Sequence, residues 1–112
     1  MPLKVIASRR IVVDPGVETY VDLYTVNPGS RLRLERVEIF FPSGTAGELL
    51  VKVFHGWIGL VPTDGHAQGD NVKHEYPVEA EYGSQSVIRA YLKNINTTSA
   101  RECVITLMGQ EQ

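Results

Sequence analysis

Residues 31–55 read RLRLERVEIFFPSGTAGELLVKVFH. Two runs rich in Leu, Val, Ile and Phe flank a loop, PSGTAG, that carries two glycines. The first run changes phase. Leu32 and Leu34 share one parity, whereas Val37, Ile39 and Phe41 share the other. Successive side chains of a strand point to opposite faces, so both sets reach one core only if an extra residue intervenes. The pattern predicts a β-bulge or a sheet-switching bend near Glu35 and Arg36. In the second run Leu49, Val51 and Val53 point inward; Leu50, Lys52 and Phe54 form a partly covered outer face. The stretch is read as the central hairpin of an all-β domain.

Working outward, the other runs fit the same class. Residues 4–13 (KVIASRRIVV) form a strand whose middle, Ser8, Arg9 and Arg10, suits a bend or a charged edge. Asp14-Pro15-Gly16 and Asn27-Pro28-Gly29 carry type II turn chemistry, with Pro presetting φ and Gly accepting a positive one. Between them Val17, Thr19, Val21 and Leu23 alternate with Glu18, Tyr20, Asp22 and Tyr24. The second set is an amphipathic face of tyrosines and carboxylates. Residues 57–61 form a short strand and residues 62–70 a polar loop. Residues 71–81 alternate regularly, but Pro77 cannot donate to a ladder, so this strand lies at an edge or is kinked there. Residues 87–95 and 101–108 close the domain, with Ile88, Ala90 and Leu92, then Cys103, Ile105 and Leu107, inward. Residues 109–112 are read as a polar tail.

About eight short strands with turn signals between them, and no window of helical periodicity free of Gly or Pro, predict an antiparallel β-sandwich of jelly-roll or Greek-key type. The 112 residues, 1–112, fit a single domain. An immunoglobulin-like sandwich is the alternative, without its Cys…Trp…Cys pattern.

Composition narrows function by exclusion. A net charge of −2 offers no broad basic field for nucleic acid. The Arg9–Arg10 pair and Arg31, Arg33 and Arg36 read as a solvated face. No apolar run approaches the ~20 residues that span a bilayer. The N-terminal MPLKVIASRR lacks the continuous apolar region of a signal peptide, so assembly in a host cytoplasm is expected. Cys103 is the single cysteine and reads as a small buried hydrophobe. The triplet Asn96-Thr97-Thr98 matches a glycosylation sequon and reads as a turn.

No catalytic motif stands out: there is no G-x-S-x-G, no P-loop and no G-x-G-x-x-G. The chain is read as non-enzymatic and without cofactors. His55, His66 and His74 show no H-x-H or H-x₃-H spacing, which disfavours a transition metal. Asp64 and Asp70 in the loop at residues 64–70 could contribute to a calcium site, but the closing Glu of a calcium loop is absent, and a surface turn is the better reading. Trp57, beside the Gly56 break, is the foremost recognition candidate, whether in an interface, on a sugar or in the core. Tyr20 and Tyr24, with Phe40 and Phe41, complete the candidates for an interface.

The order of these features resembles the small jelly-roll proteins of virus particles, including phage capsid decoration or cement proteins. The hairpin at residues 31–54, the GWIGLVP segment and the closing VIRAYLKNINTTSARECVITL carry the resemblance. It is architectural, and it implies no site residues. It implies a virion protein that self-associates, most simply as a closed homo-oligomer such as a trimer, and binds a capsid or other virion surface. Two alternatives are a lectin-like carbohydrate-binding module using Trp57 and the tyrosines, and a cupin-like metalloprotein requiring the three histidines to converge.

Overall fold

The computed structural model describes residues 4–112; residues 1–3, which open the segment considered above for a signal peptide, lie outside the described residues. Eight strands follow one another: β1 (Lys4–Val13), β2 (Glu18–Thr25), β3 (Leu32–Phe41), β4 (Leu49–His55), β5 (Ile58–Val61), β6 (Val72–Tyr82), β7 (Val87–Asn94) and β8 (Arg101–Glu111). They form two four-stranded antiparallel sheets, ordered β1-β8-β3-β6 and β2-β7-β4-β5. β1 pairs with β8, β2 with β7, β3 with β6 and β4 with β5. A long antiparallel ribbon rolled on itself gives these nested pairs, and this is the jelly roll.

The topology corrects the reading of residues 31–55 as a hairpin. β3 and β4 lie in different sheets, and residues 42–48 cross between layers. Period-2 alternation identifies two strands with inward faces, but it cannot say whether they face each other across the core or lie side by side. The phase change, in contrast, is a bulge as expected. Leu34 pairs with Gly109 and Arg36 with Met108, so Glu35 is the extra residue against β8. The strand does not switch sheets. Leu32, Leu34, Val37, Ile39 and Phe41 are all fully buried as a result.

Phe41 is therefore core, which corrects its place among the interface candidates. The inward sets on β4, β7 and β8 are buried as expected, with Cys103 among them. They join β3, Val13 and Val26 in one cluster shared by both sheets. Burying each such Leu, Ile or Phe side chain contributes about 1.5–3 kcal/mol. Both Pro-Gly turns close as type II turns: Val17 N–H donates to Asp14 O at 3.1 Å and Ser30 N–H to Asn27 O at 3.0 Å, with Gly16 and Gly29 at φ 72° and 79°.

β1 and β6 are the two edges of their sheet, as the charged middle of one and Pro77 in the other suggested. The irregularity in β1 is not at Ser8–Arg10, however. It lies at Ile6, between the pairs Val5–Met108 and Ala7–Leu107. β8 runs to Glu111, so most of the expected polar tail is strand. Arg31 and Gln112 exchange two backbone hydrogen bonds just past it.

Candidate functional site

The outer face of the β2-β7-β4-β5 sheet gathers most of the aromatic side chains that the core does not use. Register sets its rows. Tyr20 lies opposite Tyr91, and Tyr91 opposite Lys52. In the next row Asp22 lies opposite Arg89, and Arg89 opposite Phe54. β4 and β5 are joined by a two-residue turn, Gly56-Trp57, in which Gly56 takes φ 57°. That left-handed step, easy for glycine, folds Trp57 back over the rows. Trp57 is thus in the turn and not in the strand assigned to residues 57–61.

Tyr20 is the hub of the patch. Its ring centroid lies 5.2 Å from Trp57, 5.3 Å from Tyr91 and 6.0 Å from Phe54, in edge or tilted arrangements that suit the aromatic quadrupole. The Arg89 guanidinium carbon sits 4.3 Å from the Trp57 ring centroid. His66, from the loop at residues 64–70, closes over Tyr91 at 5.3 Å. Trp57 and Ile58 are each 69% exposed, and Tyr20 is 48% exposed.

The charges around the patch are only partly consumed. The Tyr91 hydroxyl donates to Glu18, and burial together with that bond pushes its pKa up to about 12. Arg89 Nε lies 3.4 Å from Asp22 Oδ1 but makes no hydrogen bond to it or to any other acceptor among the described residues, although it is buried. Lys52 and Lys93 on the same face make no ion pair among the described residues.

The structure brings Trp57 and Tyr20 together and separates the other candidates from them. Tyr24 does not join Tyr20. A bulge between Asp22 and Tyr24 pairs Tyr24 with the inward-facing Ile88, so it turns to the rim of the core. Its hydroxyl donates to Glu111 Oε1 at 2.7 Å, and that bond, with burial, pushes its pKa up to about 12. Phe40 is 37% exposed but lies on the outer face of the other sheet, between Val104 and Lys73. Arg89, Phe54 and Tyr91 went unrecognised as site residues. The partly covered Leu50–Lys52–Phe54 face hinted at them, but cross-strand register was needed to assemble the patch.

The histidines sit in three separate places. His55 stacks on Tyr82 at 4.0 Å, His66 lies on Tyr91, and His74 Nε2 is 3.0 Å from the Gln68 carbonyl. No group of three His, Cys, Asp or Glu side chains among the described residues could hold a metal ion. Asp70 accepts from the Gly44 and Thr45 amides at 2.7 and 3.2 Å, so it clamps the crossing loop. Asn96 Oδ1 accepts from the Thr98 and Ser99 amides, which makes the sequon a capped turn. A groove of about 260 Å³ at one end of the sandwich is lined by Arg10, Arg101 and the crossing loop; its arginines already pair with Glu102 and Glu48.

No family model and no curated protein matches the chain. Among solved structures it is similar to a de novo designed double-stranded β-helix (TM-score 0.39, 20% identity, covering 92% of this chain and 97% of that one). It is also similar to a protein designated FLHE (TM-score 0.45, 12% identity, 93% of each chain). A third similarity is to a chain of infectious bursal disease virus, Gt strain (TM-score 0.41, 9% identity), covering 95% of this chain and 31% of that one.

Proposed function

We propose that this chain is a non-enzymatic structural protein of a virus particle that works by self-association and by binding a capsid or other virion surface. The Tyr20–Trp57 patch carries the reading. Large aromatic side chains gathered on one exposed face mark a surface that is covered in the working assembly. Covering a side chain of this size contributes about 1.5–3 kcal/mol, and Trp and Tyr are the residues that dominate interface energetics. The polar groups support the same reading. Many of the carboxylates are engaged in ion pairs, caps and loop clamps such as Glu48–Arg101, Glu111–Tyr24 and Asp70. Jelly rolls recur in capsid, lectin and cupin proteins, so the fold is compatible with the assignment without choosing it.

The test is native mass by light scattering on the purified chain, with elemental analysis of the same peak. A closed oligomer without metal, a trimer in the simplest case, is the expected result, and Trp57→Ala dissociates it. A monomer at every concentration counts against the reading.

The second reading is a carbohydrate-binding module. Its particular support is the open Trp57 ring with Asp22, Arg89 and His66 around it, because a sugar needs an aromatic platform and adjacent polar groups. Saturable quenching of Trp57 fluorescence by a glycan, with the protein remaining monomeric, favours this reading over the first.

A further inference from the structure

The aromatic face and the β6 edge complement each other in charge. β6 is an edge strand of eleven residues, and its exposed positions are Lys73, Glu75, Pro77, Glu79 and Glu81. Glu75 is engaged by Lys73 at 3.2 Å and Glu81 by Arg31 at 3.5 Å. Glu79 makes no ion pair or hydrogen bond among the described residues. On the other sheet, Arg89 is ion-paired to Asp22 through its buried Nε, but its outer Nη donors make no hydrogen bond among the described residues, and Lys52 and Lys93 make no ion pair there.

We propose that the Trp57–Arg89 face docks the β6 edge of a second copy of this chain, with Pro77 on the open face of Trp57 and Glu79 on Arg89. The inference rests on the self-association reading above and names its partner surface. Pro77 and Glu79 stand on the same side of β6, about 6.7 Å apart. Trp57 and the Arg89 guanidinium are stacked, so an apolar ring and a carboxylate at that spacing meet the indole and the cation beside it. A carboxylate on Arg89 supplies an acceptor for its outer Nη donors, and a fork-shaped guanidinium suits that partner.

Pairing β6 edge to edge across a two-fold centred on Pro77 is disfavoured, because it sets Glu75 of one copy opposite Glu79 of the other, and like charges directly opposite each other destabilise a strand pair. The contact is instead heterologous, joining two different surfaces. Such contacts close into a ring when the rotation permits and otherwise extend as a filament.

The experiment is a charge exchange on the full chain, followed by light scattering and native mass spectrometry. Arg89→Glu and Glu79→Arg each weaken assembly by about tenfold or more, as expected for loss of one partner of a desolvated pair. The double variant regains it. An equimolar mixture of the two single variants also regains assembly with the two alternating, because each junction between them is either the native face–edge pair or the exchanged one.

If wild type assembles and Glu79→Arg assembles equally well, the β6 contact is overturned while self-association stands. If wild type is monomeric throughout, both fall. Glu79 is exposed on an edge strand, so its substitution decides the matter even if Arg89→Glu fails to fold by circular dichroism.

Discussion

The Arg89 guanidinium carbon lies 4.3 Å from the centroid of the Trp57 ring, on a face where Trp57 itself is 69% exposed. A cation over an indole at that distance contributes roughly 0.5–1 kcal/mol at an exposed site, enough to hold the ring down without burying it. Trp57 is the only tryptophan, so intrinsic fluorescence reports this patch alone. Dilute protein should emit at the long wavelength of a hydrated indole, and emission should shift to shorter wavelength as concentration drives assembly. Trp57→Ala should change folding stability by no more than about 1 kcal/mol, since little packing is lost, while abolishing the concentration dependence of mass. An emission maximum independent of concentration, alongside a rising mass, would show that assembly uses another surface.

Gly109 is expected to be intolerant of any side chain. It pairs with Leu34 at the β3 bulge, and a β-carbon there would overlap the Arg33 carbonyl oxygen and crowd the Leu34 backbone. Those neighbours are backbone, so they cannot swing aside. Gly109→Ala should cost roughly 2–3 kcal/mol or more, at the upper end of overpacking penalties. Gly83→Ala is the control, because a β-carbon there meets nothing. Denaturation midpoints of the two variants give the comparison, and equal midpoints would refute the close approach.

The pair Leu34–Gly109 also shows how far the sequence could be read. The bulge was legible because Val37 follows Leu34 by three positions, an odd step, and no regular strand buries both on one face. The glycine opposite was not, since its need arises only when β8 is laid against β3. Strand positions and inward faces follow from local alternation in the same way. The assignment of β3 and β4 to different sheets does not, because a loop of seven residues serves either a hairpin or a crossing. For the site, Trp57 and Tyr20 could be singled out by residue type. Tyr24 was misplaced because nothing local announces the bulge after Asp22, which reverses its face.

Asn94 is a second position where a small change should have a large effect. Its side chain is buried, and its Nδ2 donates to the carbonyls of Val13 and Ser99 at 3.1 and 2.9 Å, while Oδ1 accepts from the Asn96 amide at 2.9 Å. It ties the end of β7 to the end of β1 and to the turn before β8. Asn94→Ala leaves several buried polar groups without partners and should cost about 2–4 kcal/mol. Asn94→Asp replaces the donor with oxygen facing carbonyl oxygens. It should be worse than alanine at neutral pH and recover as the carboxyl protonates. Denaturant midpoints against pH would separate the two, and a pH-independent aspartate variant would argue against this network.

Stability should fall at both ends of the pH scale, through identifiable groups. The Arg101 hydrogen bond, with Asn96, holds the Glu48 carboxyl below its ordinary range. The Tyr24 hydroxyl, with Asn27, does the same for Glu111. A carboxyl whose folded pKa is lowered binds fewer protons in the native state than in the unfolded one. Its contribution is complete above the ordinary carboxylate range and is lost as pH falls through the lowered value. Tyr24 has the opposite sign. Glu111 above all, and then burial, raise it to about 12, so its contribution is complete below its ordinary value and is lost as pH rises through about 12. Glu111→Gln therefore tests both limbs. It should flatten the acid fall in melting temperature and return the Tyr24 titration, followed by tyrosinate absorbance, toward the ordinary range. Glu48→Gln should flatten the acid limb alone, because no tyrosine hydroxyl is bonded to Glu48. If the double variant loses stability in acid as steeply as wild type, these two carboxylates are not the source of the fall.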